Sequence, residues 1–131
     1  MIADSSAWIE MLRATGSRAD TRLRQTLLSG ARLLMPLTVY QEVLQGASHP
    51  RDFMRLQAQL DYVPRFEPED AHETARHAAM IYARCRWGGH TPRSPNDCLV
   101  AACAIEAGEP LLHADRDFER IAAIEPRLQF A

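Results

Sequence analysis

Lysine is absent from this sequence: all fifteen basic residues are arginine. That excludes any chemistry built on a lysine. A receiver domain, which also places carboxylates at strand ends, needs one, as does the phosphate-gripping G-x-x-x-x-G-K-[ST] loop. The glycine pattern G-x-G-x-x-G does not occur either, and Asp4-Ser5-Ser6 is not the D-x-D of a dehalogenase-type phosphatase. Cysteine is scarce: Cys85, Cys98 and Cys103, with no C-x-x-C spacing. This argues against a disulfide framework or a thiolate zinc site and for buried, reduced thiols. No apolar run approaches the ~20 residues that span a bilayer. The opening MIADSSAW carries an acid at position 4 and no basic stretch, unlike a secretory leader. The expected location is cytoplasmic, away from the membrane. A net charge of −2 gives no global attraction to nucleic acid. Arginine forks suit phosphate, although a genomic preference for arginine explains the missing lysine equally well.

What is present is enough for one folded unit. The chain has 131 residues, 47% of them hydrophobic, and a domain of that size buries about two thirds of its unfolded surface. A single domain over residues 1–131 is expected, with no linker or repeat. Short apolar strands are read at 1–4, 31–37, 110–113 and 128–130, with a weak one at 62–63 that Pro64 limits. Helices are expected between them. One follows Ser5 and Ser6 as caps. A second covers 17–30. A third starts at a capping box, Thr38 to Gln41, with Glu42 in its first turn. Others run over 50–60, from Pro68 to about Trp87, from the cap Ser94-Pro95-Asn96-Asp97 to Gly108, and near 117–123. Strands alternating with helices imply an α/β fold with three α/β/α layers around a central parallel sheet of four to five short strands.

In such sheets, ligands bind beyond the carboxyl ends of the strands. Asp4 ends the first strand, Glu42 follows the second, Asp115 follows the fourth, and Asp97 opens a helix that can point to the same edge. Each has a structural alternative. Asp97 completes a capping box, Asp115 and Asp117 can cap the last helix, Glu42 sits near a helix N-terminus, and Asp4 can bond to nearby amides. Together they make a cluster of like charges, which a cation usually neutralises. All-oxygen donors suit Mg²⁺ or Mn²⁺ rather than zinc.

Four segments in order, MIADSS, TVYQEVLQG at 38–46, SPNDCLVAACA at 94–104 and LLHADRDF at 111–118, resemble the PIN-domain family, and within it the VapC-type toxins of type II toxin–antitoxin systems. The resemblance spans essentially the whole chain. It implies that Asp4, Glu42, Asp97 and Asp115 form the catalytic cluster, with Asp4, Asp97 and Asp115 as metal ligands and Ser6 and Asn96 as supporting residues. His113 stands where the family usually has Thr or Ser, so the fourth place lies between Asp115 and Asp117, with Asp115 preferred. His113 itself reads as a tolerated side chain rather than a substrate contact. The resemblance also implies a Mg²⁺- or Mn²⁺-dependent endoribonuclease, a homodimer, and a cognate antitoxin that wraps the chain and inhibits it. Arg84, Arg86, Arg93 and Arg116 are candidates for RNA binding at the cleft rim. Tyr82 and Trp87 have the chemistry to stack on bases, but their helical spacing favours core or dimer packing. The alternative to an enzyme is a PIN-like module that binds nucleic acid or protein without cutting.

Overall fold

A computed structural model describes all 131 residues as seven helices and four two-residue strands. The order is β1 (Ile2–Ala3), α1 (Ser5–Leu12), α2 (Arg18–Ser29), β2 (Met35–Pro36), α3 (Leu37–Leu44), α4 (Pro50–Leu60), β3 (Arg65–Phe66), α5 (Ala71–Trp87), α6 (Pro95–Ala107), β4 (Leu111–Leu112) and α7 (Asp117–Ile124). β1 pairs with β4 and β2 with β3, both parallel. Parallel bridges from Ile2 to Leu34 and from Leu111 to Phe130 join the two ladders and add the C-terminal segment. The order across the sheet is therefore β3, β2, β1, β4 and the Phe130 segment, all running the same way. The chain leaves β1 toward one edge and later returns on its other side at β4. The direction of succession reverses between them, and that is where an open parallel sheet forms its crevice.

The strand expected at 62–63 pairs instead at Arg65–Phe66. Pro64 has no N–H to donate, but its carbonyl accepts from Met35 N at 2.8 Å. The pairing therefore starts at the proline and continues past it, on an edge strand where the missing donor costs little.

The starts of α1 and α5 follow side-chain acceptors that composition did not single out. Asp4, not Ser5 or Ser6, caps α1, accepting from Ser6 N. α3 starts at Leu37 behind Pro36, with no side-chain cap, so Thr38 lies inside the helix and Glu42 falls in its second turn. α5 starts at Ala71 because Asp70 accepts from both His72 N and Glu73 N. Two otherwise unpaired amides are satisfied there, which Pro68 cannot do. α2 and α6 both end on left-handed glycines, Gly30 at φ 67° and Gly108 at φ 63°, a conformation glycine adopts without a Cβ penalty.

α6 is buried nearly all round, from Asp97 and Cys98 through Val100 to Ala104. Its small residues let α5, α7 and the sheet approach closely. The three cysteines are reduced and buried, and burial pushes the Cys98 and Cys103 thiols up to about 12. No helix is long and apolar enough to cross a membrane. Tyr82 is half-buried against the core, but Trp87 is 67% exposed at the end of α5, outside it. Ile2 is fully buried at the centre of the sheet. Ile2→Ala should lower unfolding free energy by about 2–5 kcal/mol, read as a lower midpoint in urea at an unchanged m-value.

Candidate active site

The four acids come from four different elements and meet at one edge of the sheet. Asp4 is the first residue after β1, and its own N–H donates to Leu112 O at 2.8 Å. The β1–β4 ladder thereby runs directly into the site. Its side chain is divided in function. Oδ2 accepts from Ser6 N at 3.0 Å and Ser6 Oγ at 2.6 Å. Oδ1 is buried and has no hydrogen-bond partner. The helix cap explains one oxygen of Asp4 and leaves the other unexplained. Burial, the largest cause, raises the Asp4 pKa above the usual carboxylate value against the bonds from Ser6. A buried carboxylate oxygen without a partner is costly.

Ser6 links two loops. Its Oγ donates to Asp4 and accepts from Ala114 N at 3.0 Å, so the turn after β1 is fastened to the turn after β4. Ser5, read from the sequence only as a helix cap and not as a site residue, does the same for α3 by donating to Glu42 Oε2 at 2.6 Å. Thr38 Oγ1 adds a longer bond to Glu42 Oε1 at 3.4 Å. The only signal for Ser5 was its place beside Asp4.

Asp97 lies in the first turn of α6 and is 8% exposed. The expected capping box does not close. Ser94 Oγ accepts from Asn96 N at 3.2 Å, while the Asp97 carboxylate forms no hydrogen bond. A capping role therefore does not account for Asp97. Its pKa is raised to about 7, by desolvation first and then by the charges of Asp4, Asp115, Glu42 and Asp117. Asn96 is exposed at the same helix start.

The two acids competing for the fourth place have different surroundings. Asp117 is 3% exposed. Its Oδ2 accepts from Arg93 N at 3.2 Å and Arg93 Nε at 3.1 Å, and its Oδ1 lies 3.8 Å from His90 Nε2. Burial opposes ionisation of Asp117, but the bonds and charge of Arg93 outweigh it and hold the pKa below the usual range. Asp115 is more open. Both of its bonds fall on Oδ1, from Arg93 Nη2 at 2.8 Å and Asp117 N at 2.9 Å, and Oδ2 is left unbonded. His113 is half-buried, with its ring packed on Phe118 and Phe130 at centroid distances of 5.1 and 4.6 Å. Its Nδ1 accepts from Asp115 N at 3.2 Å. It braces the Asp115 turn from beneath.

The arginines do not form one rim. Arg84 is drawn to the far end of α7, where it donates to Ile124 O at 2.6 Å and pairs with Glu125. A cation is favoured at that helix C-terminus. Arg93 is engaged by Asp115 and Asp117. Arg86 and Arg116 are exposed and unpaired. An apolar groove of about 870 Å³ lies elsewhere, among α1, α2 and α4, lined by Trp8, Met11, Leu27 and Tyr62.

Like charges hold the carboxylates apart, and no three acidic, histidine or cysteine side chains converge to chelating distance. The donor set nevertheless fits a hard divalent cation: all oxygen, crowded, with Asp4 Oδ1 buried and partnerless. In metal-free buffer, Asp97 should titrate near pH 7 by carboxyl NMR. A raised carboxyl pKa favours the folded state only while the group is protonated. Its contribution should therefore fall as pH rises from about 4, where the unfolded carboxyl titrates, through about 7. Asp97→Asn should flatten that part of the stability–pH curve. An unchanged slope would contradict the assigned cause.

Comparison with known proteins shows the family and the fold. The model of the PIN domain matches residues 1–124. The chain is 40% identical over 125 residues to VapC ribonuclease Mb1587 of Mycobacterium bovis, covering 95% of this chain and 92% of that one. Ribonuclease VapC11 of Mycobacterium tuberculosis matches with the same identity and coverage. Among solved structures, VapBC2 from Rickettsia felis superposes with a TM-score of 0.72 at 15% identity, over 99% of this chain and 96% of that one. FitAcB from Neisseria gonorrhoeae does so with a TM-score of 0.68 at 17% identity, with the same coverage. With a family model matched over almost its whole length and VapC ribonucleases as relatives, the chain belongs to the PIN-domain family.

Proposed function

We propose that this protein is a divalent-metal-dependent endoribonuclease, the toxin of a type II toxin–antitoxin pair, acting as one domain over residues 1–131. The observation that carries the reading is the Asp97 carboxyl. It is free of hydrogen bonds and pushed up to about 7 by burial and by the charges of Asp4, Asp115, Glu42 and Asp117. Helix capping does not account for that arrangement, whereas a place for a divalent cation does, since a cation would offset the crowding of charge and favour the ionised carboxylate. The names of its relatives, VapC ribonuclease and ribonuclease VapC11, support RNA as the substrate.

Asp4, Asp97 and Asp115 would hold Mg²⁺ or Mn²⁺, Asp4 through Oδ1 and Asp115 through Oδ2, the oxygens that no protein donor occupies. When bound, the ion would supply Lewis acidity, lowering the pKa of a water and offsetting charge on the phosphate. Ser6 fixes the Asp4 carboxylate by donating to Oδ2, which leaves Oδ1 turned away from the helix cap. Glu42, tethered through Ser5, is placed either to share in binding or to accept a proton from the attacking water. Asn96, exposed beside Asp97, is available to the substrate. Arg86 and Arg116 offer free guanidinium groups to the RNA backbone. The exposed Trp87 offers a stacking surface or a dimer contact. We further propose a cognate antitoxin as partner, a homodimer as the assembly, and the cytoplasm, where buried thiols stay reduced, as the location.

The purified, antitoxin-free protein should cleave RNA with Mg²⁺ or Mn²⁺ and stop on addition of a chelator. Asp4→Asn and Asp97→Asn should each slow cleavage by about 10²-fold or more, the scale of losing one electrostatic stabiliser. Cleavage at the wild-type rate by either variant, or in chelator, would remove the reading. Metal binding without cleavage would favour a binding module instead.

A further inference from the structure

Arg93 stands in the loop between α5 and α6, yet its interactions all reach forward to the start of α7. One guanidinium spans two carboxylates: Nη2 donates to Asp115 Oδ1 at 2.8 Å and Nε to Asp117 Oδ2 at 3.1 Å. The backbone N–H of the same residue donates to Asp117 Oδ2 at 3.2 Å. The acids are bonded to each other as well, Asp117 N to Asp115 Oδ1 at 2.9 Å. The result is a closed set of bonds in which Asp117 is the buried foot, Arg93 the strut and Asp115 the supported group.

We infer that Arg93 is a positioning residue for the metal site: anchored on Asp117, it fixes the Asp115 carboxylate so that Oδ2 is presented to the acid cluster. The inference rests on the proposed metal-dependent reading of that site. Three observations carry it. Both protein bonds to Asp115 fall on one oxygen, so the plane of the carboxylate is set and the other oxygen is left for a ligand. Asp117 is buried, and its Oδ2 takes both the backbone N–H and the Nε of Arg93, so it is the fixed end on which the guanidinium is held. The Arg93 side chain is 72% exposed, so packing does not explain its place. Arginine suits this role where lysine does not, because two donors in one rigid plane must reach two acceptors at once. The strut also brings a positive charge beside the crowded acids without occupying the free oxygen of Asp115.

Outer partners that hold a ligating group typically contribute 10- to 100-fold to metal affinity or activity. The test is Mn²⁺ titration by calorimetry, thermal unfolding of the metal-free protein, and RNA cleavage, on wild type, Arg93→Lys, Asp117→Asn and, as a control, Arg76→Lys, whose surface pair with Glu73 lies on α5. Arg93→Lys, which keeps the charge and breaks the fork, should weaken Mn²⁺ binding about 10-fold or more with a melting temperature close to wild type. Asp117→Asn should weaken Mn²⁺ binding in the same way, and Arg76→Lys should change nothing. If Arg93→Lys binds Mn²⁺ and cleaves as wild type does, the strut has no positioning role, and the metal-dependent reading stands without it. If the unsubstituted protein binds no Mn²⁺, both are overturned. Tighter Mn²⁺ binding by Arg93→Lys would also overturn the inference, since it would make Arg93 a competitor for Asp115 rather than its support.

Discussion

Carboxylates that share a cleft repel one another, and every group around this site is arranged against that repulsion. The acids arrive on elements that could each relax outward: the end of β1, the second turn of α3, the first turn of α6 and the turn after β4. Hydroxyls and one guanidinium hold three of the four in place. Ser6 takes Asp4, Ser5 takes Glu42, and Arg93 takes Asp115. Asp97 has no such tether. Its helix is buried on nearly every side, so the backbone itself is the restraint. Burial first, and then the charges of the other acids, push that carboxyl up to about 7.

The site and the fold share one set of bonds. The amide of Asp4 continues the β1–β4 ladder, its Oδ2 starts α1, and the Ser6 hydroxyl that donates to that oxygen also accepts from the turn after β4. A substitution at Ser6 therefore bears on a helix start, a loop-to-loop contact and the orientation of a carboxylate together. His113 is a similar junction. An aromatic ring packs between Phe118 and Phe130, and a nitrogen accepts from the Asp115 amide. The hydroxyl residue that usually stands there would supply the acceptor but not the packing.

Much of this was legible in the sequence, because the strong signals are local. Alternating short apolar runs and capped helices gave the parallel α/β architecture. The position of each acid relative to its strand or helix gave the shared edge, and resemblance supplied the family. The failures were of two kinds. The helix start at 71 shifted because Asp70 outcompeted the signal at Pro68 as an acceptor for the first amides, and the start at 37 moved forward behind Pro36 with no side-chain cap at all. Side-chain partners were missed because they are distant in the chain. Nothing near Arg84 foretells that it will turn to the end of α7, and nothing near Arg93 foretells its reach to Asp115 and Asp117. The capping box at Ser94 to Asp97 was plausible by spacing, yet the serine bonds to Asn96 and frees the acid.

The central strand of the sheet is also the first segment of the chain, and it pairs with β4 near the other end. Ser6 and Ala114, which lock the two acid-bearing turns together, are 108 positions apart. Contacts of such separation close late in folding, since the intervening loop must lose its freedom before they form. A growing chain therefore carries Asp4 well before its partner acids, with no site to put it in. The cluster comes into being only once the segment carrying Asp115 has been made and has turned back on β1, so the four acids first meet when the last of them joins a strand laid down long before.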